Sequence, residues 1–200
     1  MIALIAGAGL EVAVRLGLGM LLLQASIGVV NDIVDAPRDA VSKPAKPIPA
    51  GLVPPVLAAL VGAVAAALGL ALSAASGPPT VLVGVLVLGI GYAYDLWLKG
   101  TASSWLPFAV GIPLLPVYAW LGAAGSVPPA FTFLLPAAVL AGAALAIANA
   151  LADAEADRAA GVPSVALALG AARAWRVHAA LHVGVAALAV LGLSTLGWRG

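Results

Sequence analysis

An all-α, polytopic transmembrane helical bundle is the fold this sequence predicts, and three observations predict it. Hydrophobic residues make up 64% of the chain and mean hydropathy is +1.15, too apolar for a protein with an ordinary water-soluble core. Six apolar runs of roughly 20 residues, the length that crosses a bilayer, follow one another between polar breaks. Charged residues are only 8% of the chain and gather between alternate runs, as a fixed membrane topology requires.

Taken in order, the runs cover roughly residues 16–36, 53–75, 79–97, 104–123, 130–151 and 175–196. Residues 1–9 are apolar but too few to cross. They carry no basic n-region and no cleavage site, so a signal peptide is not expected. A short turn holding Glu11 and Arg15, paired with each other, should join them to the first run. Pro107, Pro113 and Pro116 crowd the fourth run, which should bend. Alanine and glycine throughout suit close helix packing in lipid, and no composition shift marks a linker, so a single membrane domain over 1–200 is expected.

Charge fixes the orientation. Arg38, Lys43, Lys46, Lys99, Arg158, Arg173 and Arg176 fall on one side of a six-span topology, and only Arg15 and Arg199 fall on the other. The positive-inside rule makes the first side cytoplasmic, and a plasma (inner) membrane is the expected location. Trp97, Trp105 and Trp175 map to that boundary, Trp120 and Trp198 to the far one, as an aromatic belt would have them. A net charge of +1 gives no electrostatic case for nucleic acid. With no cysteine, disulfides, thiolate metal sites and cysteine nucleophiles are excluded.

Chemistry concentrates at two places on the cytoplasmic side. The first run closes on Asn31, Asp35 and Asp39, with Asp32 alongside, and the fifth closes on Asn149, Asp153 and Asp157 in the same four-residue steps. On a helix such steps turn the side-chain direction by only about 40° and advance the axis by about 6 Å, so each motif should form one polar stripe. The repetition suggests two pseudo-repeated bundles around a central cavity, with the stripes facing each other. A cage of carboxylates repels itself unless divalent cations enter it, and hard oxygen donors favour Mg²⁺. Lys43 and Lys46 follow in a proline-stiffened loop, Lys43-Pro44-Ala45-Lys46-Pro47-Ile48-Pro49-Ala50-Gly51. Cations and ammonium groups together suit a ligand of high negative charge, above all a diphosphate.

The stretch from Asn31 to Gly51, with Asp153-Ala154-Glu155-Ala156-Asp157 and Gly161, resembles the two Asp-rich signatures of the UbiA-type intramembrane prenyltransferases. Those read Asn-Asp-x-x-Asp-x-x-x-Asp, then Lys-Pro-x-Arg-Pro and a later glycine, and Asp-x-Glu-x-Asp with a glycine shortly after. Both occur in order, about 120 residues apart, and the resemblance extends from residue 16 to roughly 175. It implies a helical bundle that grips a polyprenyl diphosphate through Mg²⁺ and passes the prenyl group to an acceptor, aromatic or lipid, inside the membrane.

Carried over by position, the resemblance makes Asn31, Asp32, Asp35, Asp39, Asp153 and Asp157 metal ligands. It makes Asn31, Lys43, Lys46, Asn149 and Tyr94 diphosphate contacts, and Asp35, Asp39, Asp153 and Asp157 with Lys99 the catalytic set. Lys46 stands where the family more often has Arg, losing bidentate geometry but not charge. Tyr94 and Lys99 resemble the family's Tyr-x-x-x-Lys element with one residue more between them. Asn31-Asp32 in place of Asn-Arg sets the chain apart from the haem-farnesylating branch. Against the nine spans usual in the family, the chain is expected to lack most of the first helix and the last two, and a homo-oligomer or a partner membrane chain is an expected complement. A non-catalytic isoprenoid-diphosphate-binding subunit, or an incomplete member of the family, is the alternative.

Other polar residues have plainer expectations. Glu155 points about 200° from Asp153 on a continuous helix and suits a loop or supporting role. Arg38 and Arg158 suit interfacial anchors or local ion pairs. Gln24, on nearly the same face as Asn31, suits a cavity wall or a helix-to-helix bond. His178 and His182, four apart but without a third ligand nearby, suit packing or interhelical bonding. A transporter should hold ionisable groups near the membrane midplane, whereas here they cluster at one edge.

Overall fold

The computed structural model describes residues 1–196, so Trp198 and Arg199 lie outside the described residues. Among the described residues all regular structure is helical: α1 (Ile2–Ile5), α2 (Leu10–Ser42), α3 (Pro55–Ala74), α4 (Pro78–Ala93) continued by a π turn (Tyr94–Leu98), α5 (Leu106–Ala124), α6 (Phe131–Ala152), α7 (Ala154–Ala160), α8 (Val165–Leu169) and α9 (Ala171–Leu196). Six of these stretches, α2, α3, α4 with its π turn, α5, α6 and α9, are long and apolar enough to cross a membrane. The prolines work as punctuation. Pro55 and Pro78 occupy first helical positions, where the missing amide is an orphan in any case.

The first expected boundary is wrong. Glu11 and Arg15 are not in a turn but in the opening turns of α2, which runs for 33 residues. Arg15 does not pair with Glu11: its guanidinium donates to the Leu72 carbonyl at the end of α3 (2.9 Å) and to Ser76 Oγ (2.9 Å). The charge is tolerated because a neighbouring helix end offers exposed carbonyls, a partner that the sequence does not display.

The chain divides into two compact units, Met1–Trp97 with Val117–Ser126, and Leu98–Pro116 with Val127–Gly200. In the first, α2, α3 and α4 pack on one another. The approach of α2 to α3 is so close that a Cβ on Gly69 would stand 2.8 Å from the Leu23 side chain. Buried hydroxyls stitch the helices: Ser26 donates from α2 to the Gly62 carbonyl of α3 (2.7 Å) and shares a 2.6 Å bond with Tyr92 of α4. Ser73 and the buried Tyr118 make a second bond of 2.7 Å. In an apolar medium such bonds are worth about 1 kcal/mol each and fix the register of helices that hydrophobicity alone cannot orient.

In the second unit α6 packs on α9, and α8 tucks against both, around Ile147, Val165 and Ala174. Gly142 of α6 lies against the Phe108 backbone of α5, where any side chain would overlap it. His178 donates from Nδ1 to the Ala144 carbonyl (3.0 Å), and His182 to the carbonyl of His178 in its own helix (3.0 Å). His178 thus makes an interhelical bond, one of the two roles expected of the pair. Pro113 and Pro116 lie inside α5, each removing an amide donor, and the boundary between the units falls at Pro116 and Val117.

Candidate functional site

The first motif occupies the last turns of α2. Pro37 sits among its residues, yet the helix persists to Ser42, and the Lys43 amide still reaches the Asp39 carbonyl (2.7 Å). Asn31, Asp32, Asp35 and Asp39 therefore do share one helix in the expected steps. Asn31 Nδ2 donates to Asp35 Oδ2 (3.4 Å), and Arg38 pairs with the same carboxylate (3.5 Å), so Arg38 is a local ion partner.

Beyond Ser42 the backbone reverses. The Lys46 amide bonds the Lys43 carbonyl (3.0 Å), the Ala50 amide bonds the Lys46 carbonyl (2.9 Å), and Gly51 takes φ +72°, a conformation natural to glycine. The reversal returns Lys46 to the helix it has just left. Its Nζ lies 2.8 Å from Asp32 Oδ1 and 2.7 Å from Asp39 Oδ2. The two ends of this clamp differ in worth, because the Asp39 side chain is 2% exposed and that of Asp32 49%. Solvent screens the second pair and hardly touches the first. The bonds to Asp32 and then Asp39 hold the Lys46 ammonium well above the ordinary lysine range, outweighing its partial desolvation. Lys43, by contrast, has an exposed side chain and serves the structure through its backbone amide. Gln24 is exposed and bonds the Met20 sulfur within α2 (3.8 Å) rather than a second helix.

The second motif is built differently. Asn149 lies in α6, Asp157 in α7, and Asp153 is the joint between them at φ −92° and ψ −1°. The single continuous helix expected here is interrupted at its middle residue. Four-residue backbone bonds survive the interruption, from the Asp153 amide to the Asn149 carbonyl (3.1 Å) and from the Asp157 amide to the Asp153 carbonyl (2.9 Å), so the steps of the motif are kept. Gly161 ends α7 in the left-handed region at φ +67°. Asn149, Asp153 and Glu155 are exposed, and Asp157 is half-buried.

The third element, Tyr94 to Lys99, explains its own odd spacing. A π turn takes up one residue more than an α turn, and a π turn is what Tyr94–Leu98 forms. The extra residue relative to Tyr-x-x-x-Lys is absorbed there. Tyr94 and Lys99 are half-buried and Leu96 and Trp97 exposed. Asp95, which is no part of the Tyr-x-x-x-Lys element, is buried at 4% exposure, and π turns of this kind recur at functional sites.

The donors suit a hard cation. Carboxylate oxygens of Asp32 and Asp39 already converge on a positive centre, the Lys46 ammonium, within hydrogen-bonding distance. Among the described residues no three of His, Cys, Asp and Glu are grouped to hold a metal unaided. Mg²⁺ takes one or two protein carboxylates and completes its shell with water and phosphate oxygens.

A sequence model of the UbiA prenyltransferase family matches residues 1–200, the whole chain. The chain belongs to that family. A digeranylgeranylglyceryl phosphate synthase of Methanopyrus kandleri is 30% identical over 202 residues, covering 98% of this chain and 73% of its relative. A UbiA homologue from Archaeoglobus fulgidus shares the fold, with a TM-score of 0.82 at 23% identity over 97% of this chain and 69% of that one. The same homologue solved with GPP and Mg²⁺ superposes at 0.81, with 24% identity over 94% and 68% of the two chains. As a UbiA prenyltransferase with six apolar helices, the protein is an integral membrane enzyme.

Proposed function

We propose that this protein moves a prenyl group from an isoprenoid diphosphate to an acceptor inside the membrane, in a Mg²⁺-dependent reaction at the cytoplasmic side of the plasma membrane. The observation that carries this reading is the convergence of Asp32 and Asp39 on one cation in a chain of this family. Residues 1–200 act as one prenyltransferase domain, in which each Asp motif serves the reaction.

Asn31, Asp32, Asp35, Asp39, Asp153 and Asp157 would hold Mg²⁺, which when bound neutralises charge developing on the leaving diphosphate. Asn149, Lys43 and Lys46, with Tyr94 and Lys99, would orient and stabilise the departing oxygens, so the protein's part is chiefly electrostatic. The allylic C–O bond breaks, diphosphate leaves with the electron pair, the acceptor's nucleophile adds to the allylic carbon, and its proton passes to solvent or diphosphate. The Methanopyrus kandleri relative supports a lipid acceptor: its name describes a product with two geranylgeranyl groups on glyceryl phosphate.

Purified protein in nanodiscs with Mg²⁺, geranylgeranyl diphosphate and a geranylgeranylglyceryl phosphate acceptor should release diphosphate and form the doubly prenylated lipid. Aromatic quinone precursors run in parallel identify the other acceptor class. Diphosphate binding without turnover on either class would make the protein a binding subunit and overturn the catalytic reading.

A further inference from the structure

We propose that Lys46 is a built-in competitor of the metal. It occupies carboxylate oxygens of the first motif and hands them over only when a diphosphate draws it away, so that Mg²⁺ and diphosphate bind as a pair. The inference rests on the reading above, in which Asp32 and Asp39 are metal ligands.

Three observations lead to it. The Lys46 ammonium bridges two carboxylates of one motif at 2.8 and 2.7 Å, so it holds an oxygen on each of two residues assigned above to the metal. One of them belongs to Asp39, whose side chain is 2% exposed and has little solvent to offset crowding by a second cation. Lys46 also sits on a loop, between α2 and α3, rather than on a helix. An ammonium and a divalent cation on the same carboxylate would be like charges at close range, which repel strongly in a partly buried setting. A diphosphate relieves the conflict. It offers the ammonium new acceptor oxygens and leaves the carboxylates to the metal.

This role differs in direction from that of a brace. A lysine that merely orders its acidic neighbours helps the metal bind, and removing it weakens the metal. A competitor hinders the metal, and removing it tightens binding. Because coupling between two ligands is reciprocal, the same change must reduce the gain in metal affinity that diphosphate brings.

The test is a Mn²⁺ titration of the full chain in detergent, read by electron paramagnetic resonance, with and without geranyl diphosphate. Lys46→Met and Lys46→Gln should each bind Mn²⁺ alone about 10-fold more tightly than the parent. The enhancement by geranyl diphosphate should fall about 10-fold, within the usual range of coupling between sites. Lys46→Arg, which keeps the charge, should retain most of the coupling. If both neutral variants bind Mn²⁺ alone with equal or lower affinity while diphosphate still enhances binding to the parent, Lys46 is a brace and the inference is overturned on its own. If the parent binds Mn²⁺ under neither condition, the function proposed above falls with it.

Discussion

The two Asn-x-x-x-Asp-x-x-x-Asp motifs have the same pattern and are supported in different ways. The first lies on an unbroken helix, has its last carboxylate buried, and is cross-linked by Lys46 from the following loop. The second turns on a joint at Asp153, presents exposed Asn149 and Asp153, and is closed by the left-handed Gly161. Equal spacing therefore does not mean equal preorganisation. The first motif adds side-chain bonds to its helix backbone, whereas the bonds described for the second are backbone ones. Removing a ligand should cost the same chemistry in both and different amounts of stability.

The largest effect tests the shared chemistry. Asp35→Ala and Asp153→Ala should each lower turnover by at least about 10² to 10³, the scale expected for losing one electrostatic contact in the transition state. They should also abolish Mg²⁺-dependent binding of prenyl diphosphate; binding left intact in either variant would remove that residue from the site.

Stability separates the motifs. Asp39→Ala breaks the buried end of the Lys46 clamp and should destabilise the protein by about 1–3 kcal/mol, less than the ~3–5 of a wholly buried pair because Lys46 remains partly solvated. Amides of residues 43–53 should exchange faster with it. Asp157→Ala should change stability by no more than about 0.5 kcal/mol while still impairing turnover. Thermal unfolding in detergent compares the two directly, and equal losses would erase the distinction.

Smaller effects refine the second motif. Gly161→Ala forces a left-handed conformation on a residue with a Cβ and should cost about 1 kcal/mol by the same measurement. Glu155→Gln, an exposed site beside the joint, should alter turnover by less than about 2-fold; a large loss would move Glu155 into the ligand set.

What was legible in the sequence follows which interactions are local. The six spans, the stripe on α2 and the passive role of His178 and His182 depend on apolar length and helical spacing, which sequence displays. The partners of Arg15, Leu72 and Ser76, belong to another helix end, which local spacing does not display. The joint at Asp153 went unseen because the segment holds no proline or glycine to announce it. The long Tyr94 to Lys99 spacing was visible as an anomaly, but only the π turn gives its cause. Two lysines near the first motif were equally good candidates by sequence. The chain reversal at residues 43–46 is what engages Lys46 and leaves Lys43 in solvent.

The length of α2 has a consequence of its own. At about 1.5 Å per residue, its 33 residues make a rod of about 50 Å, some 20 Å longer than the oily interior of a bilayer. Leu10 to Val30 suffice to traverse that interior, and the surplus is the stretch that bears Asn31 to Asp39. With Leu10 to Val30 spanning the interior, the acidic residues come at its edge, next to water. A substrate with an ionic head and a long apolar tail can lodge there with each half in the solvent it prefers.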